Sequence, residues 1–472
     1  MSRRRRPLLR SALRAFAVAS CLALAACAPS GPPDVLLVTL DTFRADRIGA
    51  YGATDISTPA LDAFAAEGIL FERAAAPMPL TLPSHVSILT GRYPREHGVL
   101  NHGMAVPERE RTLAEMLREH GYATGGFVGV KLLSPASGVA RGFDAYSRPE
   151  EDQRPASEVV PEALDWVATV PPDRPLFLWV HLFDPHLPYA PEEPWNAEAM
   201  AASNGRWPEL DWTDFLRIAR RRRGNVPAAA LEHAKRLYDA EIEYTDHWVG
   251  RLVEGLRARG RWERTAAVVT ADHGECFENG VYFEHADCMF EGAIRVPLMV
   301  ALPGRDGAGD RVTAQASLID VAPTLLEAAG LPVPKRLSGR DLARLERRAS
   351  DRSGVLIQHP VYRPAQVKVR SGRQSVIRSV AGMPTLPIRG EHPPVGLVTP
   401  DWKYLRSRDD EELYRLADEP DESRNLADEE PEILRRLREL LRRELVLHPA
   451  NVRARESMPD DLRETLEALG YL

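Results

Sequence analysis

Outside its first residues this chain has no excess of positive charge, and that lack counts against one broad class of function. The formal net charge of the 472 residues is −7, and the first 26 carry six arginines (Arg3 to Arg6, Arg10 and Arg14) and no acid, so the remainder stands near −13. A nucleic-acid binder presents a basic face, so this balance argues against nucleic acid as a partner. Aromatics make up only 7%, yet 44% of the chain is hydrophobic, ample at this length for a large core and two unequal lobes. No apolar run is long enough for a comfortable transmembrane helix, which excludes a membrane-spanning bundle. No GxSxG elbow is evident, which removes a serine hydrolase of that type. Cysteine is scarce too. Of four, Cys21 and Cys27 lie near the N-terminus, leaving Cys276 and Cys288 as a pair that an oxidising compartment could join. Sequence does not set the distance between them, so bridged and free forms both stay open.

The N-terminus reads as an export signal, with SRRRRPLLR as its basic segment and AFAVASCLALAA as its apolar one. Leu24-Ala25-Ala26-Cys27 resembles a bacterial lipobox, which implies cleavage before Cys27 and a lipid on its sulfur. The expectation is a lipoprotein signal peptide over residues 1–26 and a tether over 27–33, with the mature protein anchored to a membrane in the periplasm or at the outer membrane. The arginine run also loosely resembles a twin-arginine signal, so the export route stays open.

DVLLVTL, from Asp34, is an unbroken apolar run of strand length, the pattern of a strand buried on both faces of a parallel sheet. ATGGFVGV, PLFLWVHLF, TAAVVTA and RVPLMVAL repeat it, with helical patterns between them. This alternation predicts an α/β fold with a doubly wound, mostly parallel sheet over 34–350. The clearest helix runs from about Ala228 to Arg259 and stops at Gly260; another opens at Leu318-Ile319-Asp320 and ends at Gly330. Over 351–447 the strands become short (GVLIQHP, AQVKVR, VGLVTP, KYLRS), predicting a smaller antiparallel sheet. An amphipathic helix from about Pro431 to Leu447 would pack that lobe against the larger one. Residues 448–472 are a tail. Arg220 to Arg223 read as a solvated helix face, with the rim of a site as the alternative.

Ligands of open parallel sheets sit outside the carboxyl ends of the strands. DVLLVTL ends at Asp41, PLFLWVHLF reaches His181 and then Asp184-Pro185-His186, and TAAVVTA ends in Asp272-His273-Gly274-Glu275. One such Asp is an ordinary helix cap and one such His an ordinary structural group; together they predict a cluster of carboxylates and imidazoles at one edge. Two aspartates and a histidine, with a hydroxyl or thiolate as fourth donor, suit a divalent cation such as zinc or manganese, with calcium or magnesium as alternatives.

TLPSHVSILTG, from Thr81 to Gly91, supplies that hydroxyl. The pattern puts Pro83 at the first helical position, Gly91 at the stop, and an anion at the helix N-terminus beside Thr81. A threonine hydroxyl is a weak nucleophile at neutral pH and needs a base or a Lewis acid. The alternative is that Thr81 only caps the helix.

DVLLVTLDTFRADRIGAYG, TLPSHVSILTGRYPREHGV, FDPHLPY, TADHGE, YFEHADCMFEGAIRVPL and LYRLADEPDESRNLA resemble, in that order, the sulfatase branch of the alkaline phosphatase superfamily. The resemblance spans Asp34 to about Leu447. It implies that fold, a divalent metal, and ester cleavage at sulfur or phosphorus. Asp41, Asp272 and His273 stand where metal ligands are expected, and Thr81 stands at the nucleophile and further-ligand position. His186 and His285 match histidines that bind the transferred group or protonate the leaving oxygen; His181 and Asn101 match less closely. Arg44 and Arg92 read as structural, with a phosphate-facing role as the alternative.

Three departures bear on chemistry. The family motif C/S-x-P-S-R carries a residue converted to formylglycine; here it is T-L-P-S-H, with Thr81 at that place and His85 for the arginine. FVGVKLL stands near the place of the GKWH-like segment, so Lys131 takes no role. Thr42 replaces a second aspartate, which lowers the ligand charge. The expectation is therefore a metal-dependent hydrolase of sulfuric or phosphoric esters, with phosphate or phosphonate esters preferred on mechanism. Its substrate would be a sulfated or phosphorylated small molecule, glycan or lipid. The alternatives are a phosphoethanolamine-type transferase and a non-catalytic glycan-binding surface protein.

Overall fold

The computed structural model describes residues 31–202, 228–278, 282–283, 285–286, 288–304, 309–345, 353–360, 394–407, 410–417 and 422–450. The run DVLLVTL forms strand β1 (Asp34–Leu40), all seven residues of which are buried. It sits at the middle of an eight-stranded sheet because apolar side chains on both faces leave it no solvent side. β6 (Leu176–Leu182) lies on one flank and β7 (Thr265–Ala271) on the other, both parallel to it and both fully buried.

The full order is β10-β2-β9-β7-β1-β6-β4-β5, where β2 is Ile69–Phe71, β4 Ala123–Val128, β5 Ala145–Ser147, β9 Leu298–Ala301 and β10 Asp310–Val312. Only β9 runs antiparallel to its neighbours, β2 and β7. The sequence reading of RVPLMVAL as one more parallel strand is thereby corrected. Pro297, which has no N–H for a ladder, divides it. Arg295–Val296 becomes β8 of a three-stranded sheet with β3 (Ala74–Ala75) and β11 (Ala316–Ser317), and the rest crosses to the large sheet as β9.

Helices cover the sheet as expected of a doubly wound fold: α1 (Pro59–Glu67), α2 (Thr81–Thr90), α3 (Ala156–Thr169), α4 (Ala228–Ala258) and α5 (Val321–Ala328). Leu237, Tyr238, Ile242, Val249, Leu252 and Leu256 bury one face of α4, and Gly260 takes the left-handed conformation (φ 64°) that ends it. Among the described helices, none is long and apolar enough to cross a membrane.

β12 (Val355–Gln358), β13 (Val395–Val398), β14 (Trp402–Arg406) and β15 (Glu411–Arg415) form the antiparallel C-terminal sheet. Helix α6 (Pro431–Leu447) buries Leu434, Leu437 and Leu441 in one apolar cluster with Leu397 and Tyr404, and with Tyr93 and Ile319 from the larger part. Lys403 is buried between Glu291 (2.7 Å) and Glu422 (2.8 Å), a further tie between the two sheets' surroundings. Arg220 to Arg223 and the AQVKVR segment lie outside the described residues.

Candidate active site

The large sheet brings the predicted groups together because β1, β6 and β7 end in step. Thr39 of β1 is in register with His181 of β6 and with Thr270 of β7. The next residues out of β1 and β7, Asp41 and Asp272, emerge side by side, and the Asp41 N–H donates to the Leu182 carbonyl (2.9 Å). Asp41, Asp272 and His273 are fully buried and each offers a donor atom, all within 4.8 Å of one another.

Thr81 completes this group from the start of α2, its Oγ1 3.4 Å from His273 Nε2. The helix begins earlier than the sequence pattern implied. Leu80 is the N-cap, with no side-chain cap bond, and its carbonyl accepts from Ser84 N–H (3.0 Å). Thr81 is thus the first helical residue and not a cap. Pro83 is third, still among the positions whose N–H has no helical partner. Gly91 closes the helix at φ 65°.

The surroundings fix the donors. His273 Nδ1 pairs with the Gly274 carbonyl (3.0 Å), so that nitrogen carries the proton and Nε2 keeps its lone pair for a ligand. Ser84 Oγ donates to the Asp272 carbonyl (2.7 Å), and His273 N–H donates to Asp272 Oδ1 (2.8 Å). His181 Nε2 lies 3.3 Å from Asp41 Oδ2. His85, standing for the family's arginine, donates from Nδ1 to the Thr81 carbonyl (2.8 Å) and accepts at Nε2 from Thr39 Oγ1 (3.0 Å), which accepts in turn from Trp179 Nε1 (3.0 Å). Burial first, and then neighbouring His181, push His85 well below the ordinary histidine range. It is a neutral prop with one defined tautomer.

The same burial pushes the Asp41 carboxyl up, against the lowering influence of His273 and His186, and pushes Asp272 well up, with Asp41 as the next cause. Two carboxylates cannot both ionise in a dry site without a compensating charge. Asp41 Oδ1 and Asp272 Oδ2 are buried with no hydrogen-bond partner among the described residues. Unsatisfied oxygens of this kind, beside a presented Nε2, fit a divalent cation.

The two histidines expected on the substrate side come from loops. His186 stacks on Phe183 (4.4 Å between centroids), and His285 stacks on His273 (4.4 Å) and meets His186 edge-on (5.3 Å). Burial is the first cause that lowers both, His186 to about 4 and His285 to about 3, so both rings are neutral in the substrate-free site. Cys276 and Cys288 are joined, with Cα atoms 6.6 Å apart, which decides the pairing left open by the sequence.

Two further groups line the site: Glu275, read in the sequence only as part of the run after TAAVVTA, and His102, which the sequence reading did not single out. Glu275 is fully buried, with Oε1 3.3 Å from His285 Nδ1. His102 is buried too, and His285, His273 and His186 are near enough to depress its pKa further after burial has done so. Its neighbour Asn101 accepts from Gly103 N–H (2.9 Å). The signal for Glu275 was present in TADHGE, one residue beyond the ligand pair; His102 carried no pattern of its own. Arg44 is bound to Asp46 (2.7 Å) and Glu278 (2.6 Å), and Arg92 to Glu110 (3.1 Å). Both are engaged as structural ion pairs. Lys131 takes part through its backbone, donating N–H to the Asp152 carbonyl (2.9 Å).

A doubly wound sheet with acids, imidazoles and a helix N-terminus converging at its strand ends defines a hydrolytic α/β enzyme. The sulfatase family model matches residues 33–331, and the chain belongs to the sulfatase family. An arylsulfatase of Clostridium perfringens is 26% identical over 392 residues, covering 69% of this chain and 81% of the relative. A protein solved in complex with its substrate D-glucosamine-2-N,6-O-disulfate has a TM-score of 0.72 at 20% identity, covering 89% of this chain and 99% of the other. The phosphonate monoester hydrolase of Agrobacterium radiobacter gives 0.71 at 21% identity, covering 88% and 96%. These structural likenesses show a shared fold. The chain is a sulfatase-like hydrolase.

Proposed function

We propose that this hydrolase cleaves phosphate or phosphonate esters through covalent transfer to Thr81, and that sulfate esters are its slower substrates. The observation that carries this reading is the position of Thr81. Its single hydroxyl stands at the head of α2, 3.4 Å from His273 Nε2 and near enough to Asp41 to lower that carboxyl's pKa. Asp41, Asp272, His273 and Thr81 would hold a divalent cation, with zinc or manganese favoured by the mixed oxygen and nitrogen donors. Such an ion, when bound, lowers the pKa of a hydroxyl and offsets charge on the transferred group.

In the first step Thr81 Oγ1 forms a bond to phosphorus, the bond from phosphorus to the leaving oxygen breaks, and the threonine proton passes to Asp41. His285, with Nδ1 held by Glu275, delivers a proton from Nε2 to the leaving oxygen. An anionic substrate raises the pKa of an imidazole beside it, which supplies the acid form that the empty site disfavours. His186 and the N–H groups at the head of α2 bind the equatorial oxygens. In the second step water attacks phosphorus, gives its proton to His285, and Thr81 Oγ1 leaves with the proton returned by Asp41.

Threonine has one oxygen at this carbon, so the transferred group departs only through that second attack. Such turnover is ordinary for phospho-enzymes. The likeness to a phosphonate monoester hydrolase supports the substrate class, and that to a protein complexed with a sulfated sugar supports a glycan as one form of leaving group. We also read the chain as exported and lipid-anchored at Cys27; the Cys276–Cys288 bridge suits an oxidising compartment.

The test is a matched set of aryl sulfate, phosphate monoester, phosphate diester and phosphonate ester, assayed after reconstitution with zinc or manganese. The phosphorus esters are expected to turn over faster. Faster turnover of the sulfate than of all three would overturn the preference, and transfer to an added alcohol in place of water would favour the transferase alternative.

A further inference from the structure

We infer that Glu275 and the Cys276–Cys288 disulfide act together as the positioning device of His285. This rests on the reading of His285 as the proton donor. Glu275 is held at three points: Oε1 faces His285 Nδ1 at 3.3 Å, Oε2 accepts from the Tyr189 hydroxyl at 3.4 Å, and its backbone carbonyl accepts from Arg44 Nη1 at 2.8 Å. Glu275 fixed in this way holds the His285 ring through Nδ1, so that Nε2 is the nitrogen that would meet substrate.

The covalent tie begins at the next residue. Cys276 is bridged to Cys288 across a separation of 12 residues, and His285 lies inside that loop. Both cysteines are fully buried against Ala293. Cys288 N–H donates to the His285 carbonyl (2.9 Å) and Phe283 N–H donates to the Cys276 carbonyl (2.7 Å). Phe283 has a φ of 56°, a left-handed conformation that a bulky residue adopts only when its surroundings enforce it. Its ring packs between Phe277 (5.0 Å) and Tyr189 (6.0 Å). The bridge therefore ties the backbone next to Glu275 to the backbone that holds His285, the carboxyl and the imidazole of one dyad.

A device that aims a proton donor matters only where the leaving group needs a proton. The experiment compares a nitrophenyl ester with an alkyl ester of the same transferred group, using wild type, Glu275→Gln, Cys276→Ser/Cys288→Ser and His285→Ala, with bound metal measured in each. Both positioning variants are expected to lose about ten-fold or more in kcat on the alkyl ester and no more than about two-fold on the nitrophenyl ester, at unchanged metal content. Treating wild type with a dithiol, which gives two electrons and two protons to the S–S bond and leaves two thiols, should reproduce the serine pattern and also covers a serine variant that does not fold. Equal losses on the two esters, or none on either, would overturn the inference. If His285→Ala discriminates between the esters and the positioning variants do not, the inference alone falls. If His285→Ala does not discriminate, the proton-donor reading falls with it.

Discussion

The two halves of the site are built by different means. Asp41, Asp272, His273 and Thr81 stand at strand ends and at a helix start, where the parallel register of β1 with its neighbours sets their spacing. His186 and His285 stand on loops, where ring stacking, a disulfide and a left-handed turn at Phe283 must do what the sheet does for the others. The scaffold half gathers charge through topology. The loop half holds its histidines through side-chain packing, which is easier to alter and easier to lose.

The halves also differ in how buried charge is accommodated. In the scaffold half the unsatisfied carboxylate oxygens converge on one point that a cation can fill. In the loop half buried acids have no such common centre. Asp184 accepts from the Ala156 N–H at the head of α3 (2.9 Å), while its other oxygen has no hydrogen-bond partner among the described residues. Burial, with Glu192 adding to it, pushes Asp184 up to about 7. Glu241 is pushed well up by burial and then by Asp184.

This contrast can be broken at either half. The largest effect is expected in the scaffold: Thr81→Ala should lower kcat/KM by about 10⁴-fold or more on every substrate, whatever its leaving group. Steady-state kinetics at unchanged metal content checks it. In the loop half, His285→Ala should cost about 10³-fold on an alkyl ester and far less on a nitrophenyl ester. A uniform loss across a series of leaving groups would remove the distinction between the halves.

The third effect concerns stability. An acid with a raised folded pKa binds its proton more tightly in the folded chain, so the stability it contributes is full below its unfolded value of 3.8 and is lost as pH rises through about 7. Asp184→Asn keeps an acceptor for the Ala156 N–H and removes the charge. Relative to wild type it should gain stability between pH 5 and pH 8 by at most about 3 kcal/mol, read from urea denaturation at the two pH values. A constant difference across that range would show that the loop half carries no such burden.

Much of the scaffold half was legible in the sequence. DVLLVTL and TAAVVTA are strands over their whole length, and the residues that follow them are Asp41 and Asp272-His273. An apolar run ending in a carboxylate is a local signal, and parallel sheets convert such signals into a shared edge. The C-terminal helix was equally plain, because Leu434, Leu437 and Leu441 repeat at helical spacing. The offset of Pro83 within α2 was not, since proline is tolerated throughout the first turn. Nor was the division of RVPLMVAL, where one proline separates strands that join different sheets. In the loop half His186 was read from the strand end of PLFLWVHLF, whereas His285 came through resemblance to a family. Their contact with each other and that of His285 with Glu275 arise from loops folding over the sheet, and no periodicity records that.

Transfer of the group to Thr81 Oγ1 can be caught by rapid quenching of a phosphorus ester reaction followed by peptide mass spectrometry. A phosphoryl or phosphonyl adduct is expected on the peptide that carries Thr81, formed in a burst and absent from Thr81→Ala. Full turnover by Thr81→Ala, or an adduct on another residue, would contradict it.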